Sequence, residues 1–202
     1  MVDGAGVKGL EKLTPIRLAE VLTQKGLIEP DAIADALYSH DRYREPFTDI
    51  LIAAGHITEW DLAKIVVEHF QLPFIMSGSY DVADAVKTKL PTETLFNNLL
   101  VPLDVFDTTM LVAMPILVPF EVLQTIQREN KIILYPYVAL PSENRTVLGE
   151  MYPDFKDWYT KSQIEIEGRR KVKAPKTGEN QDDWTQLFDS ADAAVRGNLK
   201  KG

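Results

Sequence analysis

The sequence predicts an α+β protein: a four-helix subdomain of two tandem hairpins, a small mixed α/β sheet subdomain, and a flexible tail ending in an amphipathic helix. Three observations predict it. Residues 17–40, RLAEVLTQKGLIEPDAIADALYSH, and 46–69, PFTDILIAAGHITEWDLAKIVVEH, share one pattern at a 29-residue offset. After Gln71-Leu-Pro-Phe74 the helical period gives way to short apolar runs between turn signals, which read as strands. Between Ile166 and Gln181 apolar side chains nearly vanish, and such a composition does not offset the entropy of ordering.

The repeat aligns Leu18 with Phe47, Leu22 with Leu51, Gly26 with Gly55, Ile28 with Ile57, Ile33 with Leu62, Ala34 with Ala63, Leu37 with Val66 and His40 with His69. Periods of this length mark a duplicated supersecondary unit whose copies bury their apolar faces on each other. Residues 1–13 read as a flexible leader, and GAGVKG within them lacks the preceding strand that a dinucleotide-binding glycine motif needs. The hairpin subdomain spans 14–72. Thr14 is placed to N-cap the first helix with Pro15 at its first position, and Gly26 to end it in the left-handed conformation. Pro30 opens the second helix, with Ile33, Ala36, Leu37 and His40 at i, i+3, i+4 and i+7. Gly55 stops the third helix and Thr58 caps the fourth, with Asp61 where a capping box carries Glu or Gln.

The sheet subdomain spans 73–153. Two short helices are expected in Asp81–Phe96 around Leu90-Pro91. Strands at Leu100–Phe106 and Met110–Met114 flank a turn at Asp107–Thr109, then follow a helix at Pro119–Glu129, a strand at Ile132–Val138 and a helix at Ser142–Met151. The tail, 154–202, holds a linker at 166–181 and an amphipathic helix at 182–199, whose stripe includes Trp184, Leu187 and Phe188. A tethered amphipathic helix either docks on a partner protein or folds back on its own domain.

Composition excludes several functions. There is no cysteine, so disulfides, Cys-ligated zinc, iron–sulfur clusters and thiol catalysis are out. The net charge is −8, and residues 1–153 carry 12 Lys/Arg against 21 Asp/Glu, which opposes DNA or RNA binding. No apolar run reaches 18 residues and no signal peptide is visible, so the expectation is a cytoplasmic protein without a transmembrane segment. His40, His56 and His69 lie 16 and 13 residues apart and form no helical metal pair. There is no G-x-S-x-G elbow and no G-x-x-x-x-G-K-[ST] loop. The reading is therefore no enzyme, no metal and no resident cofactor. Asn144-Arg-Thr146 matches a glycosylation pattern, without meaning in a cytoplasmic setting.

The five-residue spacer Asp41–Glu45, the run FQLPFI and the segment LLVPLDVFDTTMLVAMPILVPFEVLQTI complete a pattern. With them, the first 153 residues resemble the N-terminal (MshEN-type) domain of type II secretion and type IV pilus extension ATPases. That family's repeat runs R-L-G-x-x-L-x-x-x-G, an apolar pair and a Gln, and in many members it binds cyclic di-GMP. The resemblance implies contacts from Arg17, Leu18, Leu22, Gly26, His40, Leu51, Gly55 and His69. It also implies a protein partner in a secretion, pilus or motility machine, without the ATPase motor. The chain departs from the pattern: Ala19 and Thr48 replace glycines, Phe47 a leucine, His40 and His69 the Gln, and Pro46 the second Arg. Proline has no side-chain donor, so half of such a site loses a charge-assisted bond worth roughly 1.5–3 kcal/mol. Arg42 and Arg44 stand close in sequence, and both histidines retain the capacity to bond a base edge. Cyclic di-GMP is thus the alternative to a purely protein-binding adaptor.

Overall fold

A computed structural model of the protein describes residues 10–173. Both repeat copies are helical hairpins. In the first, α1 (Pro15–Gln24) and α2 (Pro30–Tyr43) flank Gly26, and in the second, α3 (Phe47–Ala53) and α4 (Glu59–Phe70) flank Gly55. Thr14 Oγ1 accepts the Arg17 amide at 3.1 Å, and Thr58 Oγ1 the Asp61 amide at 3.1 Å, so both predicted caps form. Asp61 is too short to close the capping box on the backbone and instead accepts the Thr58 hydroxyl at 2.6 Å.

The two turns repeat bond for bond. Leu27 N donates to Leu22 O and His56 N to Leu51 O, while Gly26 N donates to Thr23 O and Gly55 N to Ile52 O. These are the paired C-terminal bonds of a Schellman motif. The glycines hold φ of +62° and +74°, and a Cβ at either would meet nothing within 4 Å. Backbone conformation, not lack of space, is therefore what favours glycine there.

Leu18, Leu22, Leu51 and Leu62 are all fully buried, each contributing about 1.5–3 kcal/mol. The copies are not equivalent, however. Ala63 is buried while its counterpart Ala34 is exposed: α4 packs against β3, whereas the main packing of α2 is on α1 and α3. The five-residue spacer is also mostly helix, since α2 runs on to Tyr43 and ends at Arg44, at φ +61°.

The short helices α5 (Asp84–Lys87) and α6 (Thr92–Asn97) lead into an antiparallel pair, β1 (Val101–Phe106) and β2 (Thr109–Pro115), with a bulge between Pro102 and Asp104. Helix α7 (Phe120–Asn130) crosses to β3 (Ile133–Ala139), which lies parallel to β2, giving the order β1-β2-β3. The outer edge of β3 is closed. Val138 exchanges bonds with Pro73 O at 2.8 Å and Ile75 N at 2.9 Å, Pro136 has no N–H, and Leu134 N donates to Gln127 Oε1 at 2.8 Å.

Helix α8 (Pro141–Met151) carries the fully buried Asn144. Its Nδ2 donates to Leu99 O at 2.9 Å and Ala113 O at 3.0 Å, and its Oδ1 accepts the buried Ser77 hydroxyl at 2.7 Å. The amide in the glycosylation pattern is thus fully engaged in the folded chain.

Helix α9 (Phe155–Lys173) starts in an aromatic cluster, with Phe96 against Phe155 at 5.1 Å and Trp158 at 5.5 Å. One compact unit holds the chain from the hairpins through the first part of α9 and ends at Ile166, and a second begins at Glu167.

Two boundaries differ from expectation. The leader does not extend to residue 13: Leu10–Lys12 is a 3-10 turn with Leu10 and Leu13 buried, and Leu13 O accepts the Phe120 amide at 2.8 Å. The linker does not begin at 166, because α9 continues to Lys173. Once Phe155 and Trp158 have nucleated it, each further Glu, Arg or Lys extends it at little cost. Trp184, Leu187 and Phe188, on the expected terminal helix, lie outside the described residues.

Asn144→Ala removes three buried hydrogen bonds at about 1 kcal/mol each. Urea denaturation is expected to show a loss of about 3 kcal/mol, and a loss below about 1 kcal/mol would contradict this role.

Candidate functional site

The predicted site residues separate into three sets. Leu18, Leu22 and Leu51 are interior residues with no exposed surface, and their work is to pack the hairpins. Gly26 and Gly55 are exposed turn positions. The polar residues carry what chemistry the site has.

His69, at the end of α4, is exposed, and its ring lies edge-on to Phe70 at 5.0 Å. Partial desolvation, then the charges of Arg17, Lys25 and Lys12, hold its pKa below the ordinary 6.5. His69 therefore feels the charge of three cations from around α1, on a chain that is acidic overall. Arg17 pairs with Glu20 at 2.7 Å, but both side chains are about half exposed, so this pair is weak and exchangeable for another anion. A neutral imidazole in the field of three cations suits a phosphodiester or a carboxylate: the cations supply charge, and the ring one donor and one acceptor.

The second copy's residue Arg would stand where Pro46 N-caps α3, and the first copy's histidine is committed elsewhere. His40 Nδ1 lies within hydrogen-bond distance of Glu45 O, where only an N–H can donate to the carbonyl, closing the α2–α3 corner. Of the two nearby arginines, Arg42 lies over the Tyr38 ring at 5.7 Å, and Arg44 sits at the left-handed end of α2. Arg17 thus acts on His69 through its charge, while His40 serves the corner.

Lys12 and Lys25 were not singled out by sequence reasoning. Lys12 fell in the supposed leader, and Lys25 precedes Gly26 without any motif role. A second polar cluster was equally invisible, since its partners lie 83 to 96 residues apart. Glu59 Oε2 accepts the Ser142 hydroxyl at 2.6 Å and the Ser142 amide at 3.2 Å, so it caps α8 from the first turn of α4. Arg145 reaches Glu59 at 3.4 Å and Asp49 at 3.9 Å, with its guanidinium 6.0 Å from the Tyr159 ring centroid. Burial is the main cause that pushes the Asp49 pKa above 3.8, with Glu59 and Glu45 adding to it and Arg145 opposing. Among the described residues no cluster of His, Asp or Glu could hold a metal, and no helix is long and apolar enough to cross a membrane.

Two solved structures share this fold. One is MshE, solved with cdg, at 17% identity and a TM-score of 0.53, the match covering 67% of this chain and 99% of that one. The other is the N-terminal domain of XpsE, also at 17% identity and a TM-score of 0.53, covering 66% of this chain and 92% of that one. No family model and no curated protein matches the chain.

Because folding raises the Asp49 pKa, its ionised form costs stability. Relative to Asp49→Asn, the wild type is expected to lose stability as pH rises from 3.8 through the raised folded value, and to stay lower above it. Urea midpoints of both proteins from pH 3 to 7 test this; a variant less stable than wild type at pH 7 would show that the Arg145 contact outweighs burial.

Proposed function

We propose that the chain is a non-catalytic cytoplasmic adaptor that docks on a protein partner, in the manner of a regulatory N-terminal domain from a secretion or pilus machine. The observation that carries this reading is the fold itself, shared with XpsE's N-terminal domain across 92% of that solved chain. Exposed apolar side chains on the hairpins support it: Trp60 on α4, 5.7 Å from Phe74, Ile16 at the start of α1 and Leu27 just past the Gly26 turn. The Trp184, Leu187 and Phe188 stripe adds a second contact in this reading. Comparing partners retained by the full-length protein and by Trp184→Ala/Phe188→Ala should show at least one partner lost, and identical sets would remove the terminal stripe from the docking surface.

A second reading is a cyclic di-GMP receptor with a one-sided site. The charge of Arg17, Lys25 and Lys12 acting on His69 favours it, as does the cdg present in the MshE structure. The engagement of His40 and the loss of a donor at Pro46 reduce it to half a site. Isothermal titration at ~100 µM dinucleotide excludes micromolar binding if no heat appears. In a binder, Arg17→Ala abolishes the heat and bound phosphate lifts the His69 pKa, which histidine NMR reads directly.

A further inference from the structure

The outer face of the sheet is apolar where a solvated face is normally polar. Side chains alternate across a strand, so Met110, Val112, Met114, Leu134, Pro136 and Val138 share the inner face, and all are buried. Their neighbours point the other way. Leu111 stands opposite Tyr135, Thr109 opposite both Ile133 and Phe106, and Leu111 also opposite Asp104. Phe106 is 60% exposed and Tyr135 36%, while Leu111, Ile133 and Tyr137 are half-buried. Tyr135 and Tyr137 rings lie 5.7 Å apart, and Tyr80, 37% exposed, joins the face through its hydroxyl, which donates to Asp104 Oδ2 at 3.4 Å. Scattered surface apolar residues mean little, but aromatic side chains adjoining on one open face mark an interaction surface.

We propose that this face is a docking platform for an amphipathic segment of a partner protein, apolar on one side and fringed by Lys or Arg. The assignment deepens the adaptor reading and rests on it. Charge complementarity selects the occupant. The carboxylates on and beside the face are Asp104 on β1 and Asp107 in the β1–β2 turn, against Lys131 just before β3. A second copy would bring the same carboxylates and the same acidic body, so self-stacking is opposed. The occupied edge of β3 excludes strand addition on that side, and the apolar side chains of the face offer the contact instead.

The probe is a short Leu/Lys amphipathic helical peptide, with a Leu/Glu counterpart, titrated into the ¹⁵N-labelled full chain. The Leu/Lys peptide is expected to shift amides of residues 104–111 and 133–137. Phe106→Ser/Tyr135→Ser should weaken its binding at least ~10-fold with an unchanged urea midpoint, both side chains being surface groups. Equal binding of the Leu/Glu peptide would overturn the proposal, as would wild-type self-association in sedimentation that the double substitution abolishes. Shifts confined to residues 15–70 would overturn the sheet face yet leave the adaptor reading standing. Failure of that reading is seen separately, as a full-length protein that retains no partner.

Discussion

One buried side-chain amide ties together the elements that would otherwise be free to slide. Asn144 sits where α8 crosses the segment leading into β1, strand β2 and the Ser77 turn, and its three bonds run to all of them. A buried amide in apolar surroundings is costly unless every bond is made, so the α8 position that satisfies it is narrowly defined. With α8 placed, Ser142 and Arg145 face α3 and α4, and Glu59 can reach both. The hairpin pair is thereby registered on the sheet by polar contacts layered on a continuous apolar core.

The duplication explains both the regularity and the imbalance of the hairpins. Their turns are the same at the level of single hydrogen bonds, because a left-handed glycine permits few alternatives. Their surroundings differ: α4 packs against β3, whereas α2 packs mainly on α1 and α3. An inside copy and an outside copy face different demands, so matching positions have parted. Ala63 is packed where Ala34 is bare, and His69 feels the charge of cations where His40 holds a corner. Fold likeness at 17% identity is compatible with this, since turn geometry and apolar spacing tolerate most exchanges of side chain.

What could be read beforehand follows the range of the signal. The caps at Thr14 and Thr58, the stops at Gly26 and Gly55, and the strand–turn–strand around Asp107 all rest on neighbours a few residues apart, and all are present. Leu10 and Leu13 were misjudged because their partner is α7, more than a hundred residues on. Residues 166–173 were misjudged because composition measures what a segment can bury, whereas a nucleated helix can be carried onward by backbone bonds alone. For the candidate site, Arg17 and His69 were visible as repeat positions. The charge that Lys12 and Lys25 add at His69, and the commitment of His40 to Glu45, depend on how the hairpins pack.

The carboxylate of Glu59 has a mechanical consequence. It occupies amide and hydroxyl at the opening of α8 while rooted in the opening turn of α4, so the two helices behave as one bracket rather than as leaves of a door. Swinging the hairpins away would strip a helix end of its satisfying oxygen at the same moment as it broke the apolar seam.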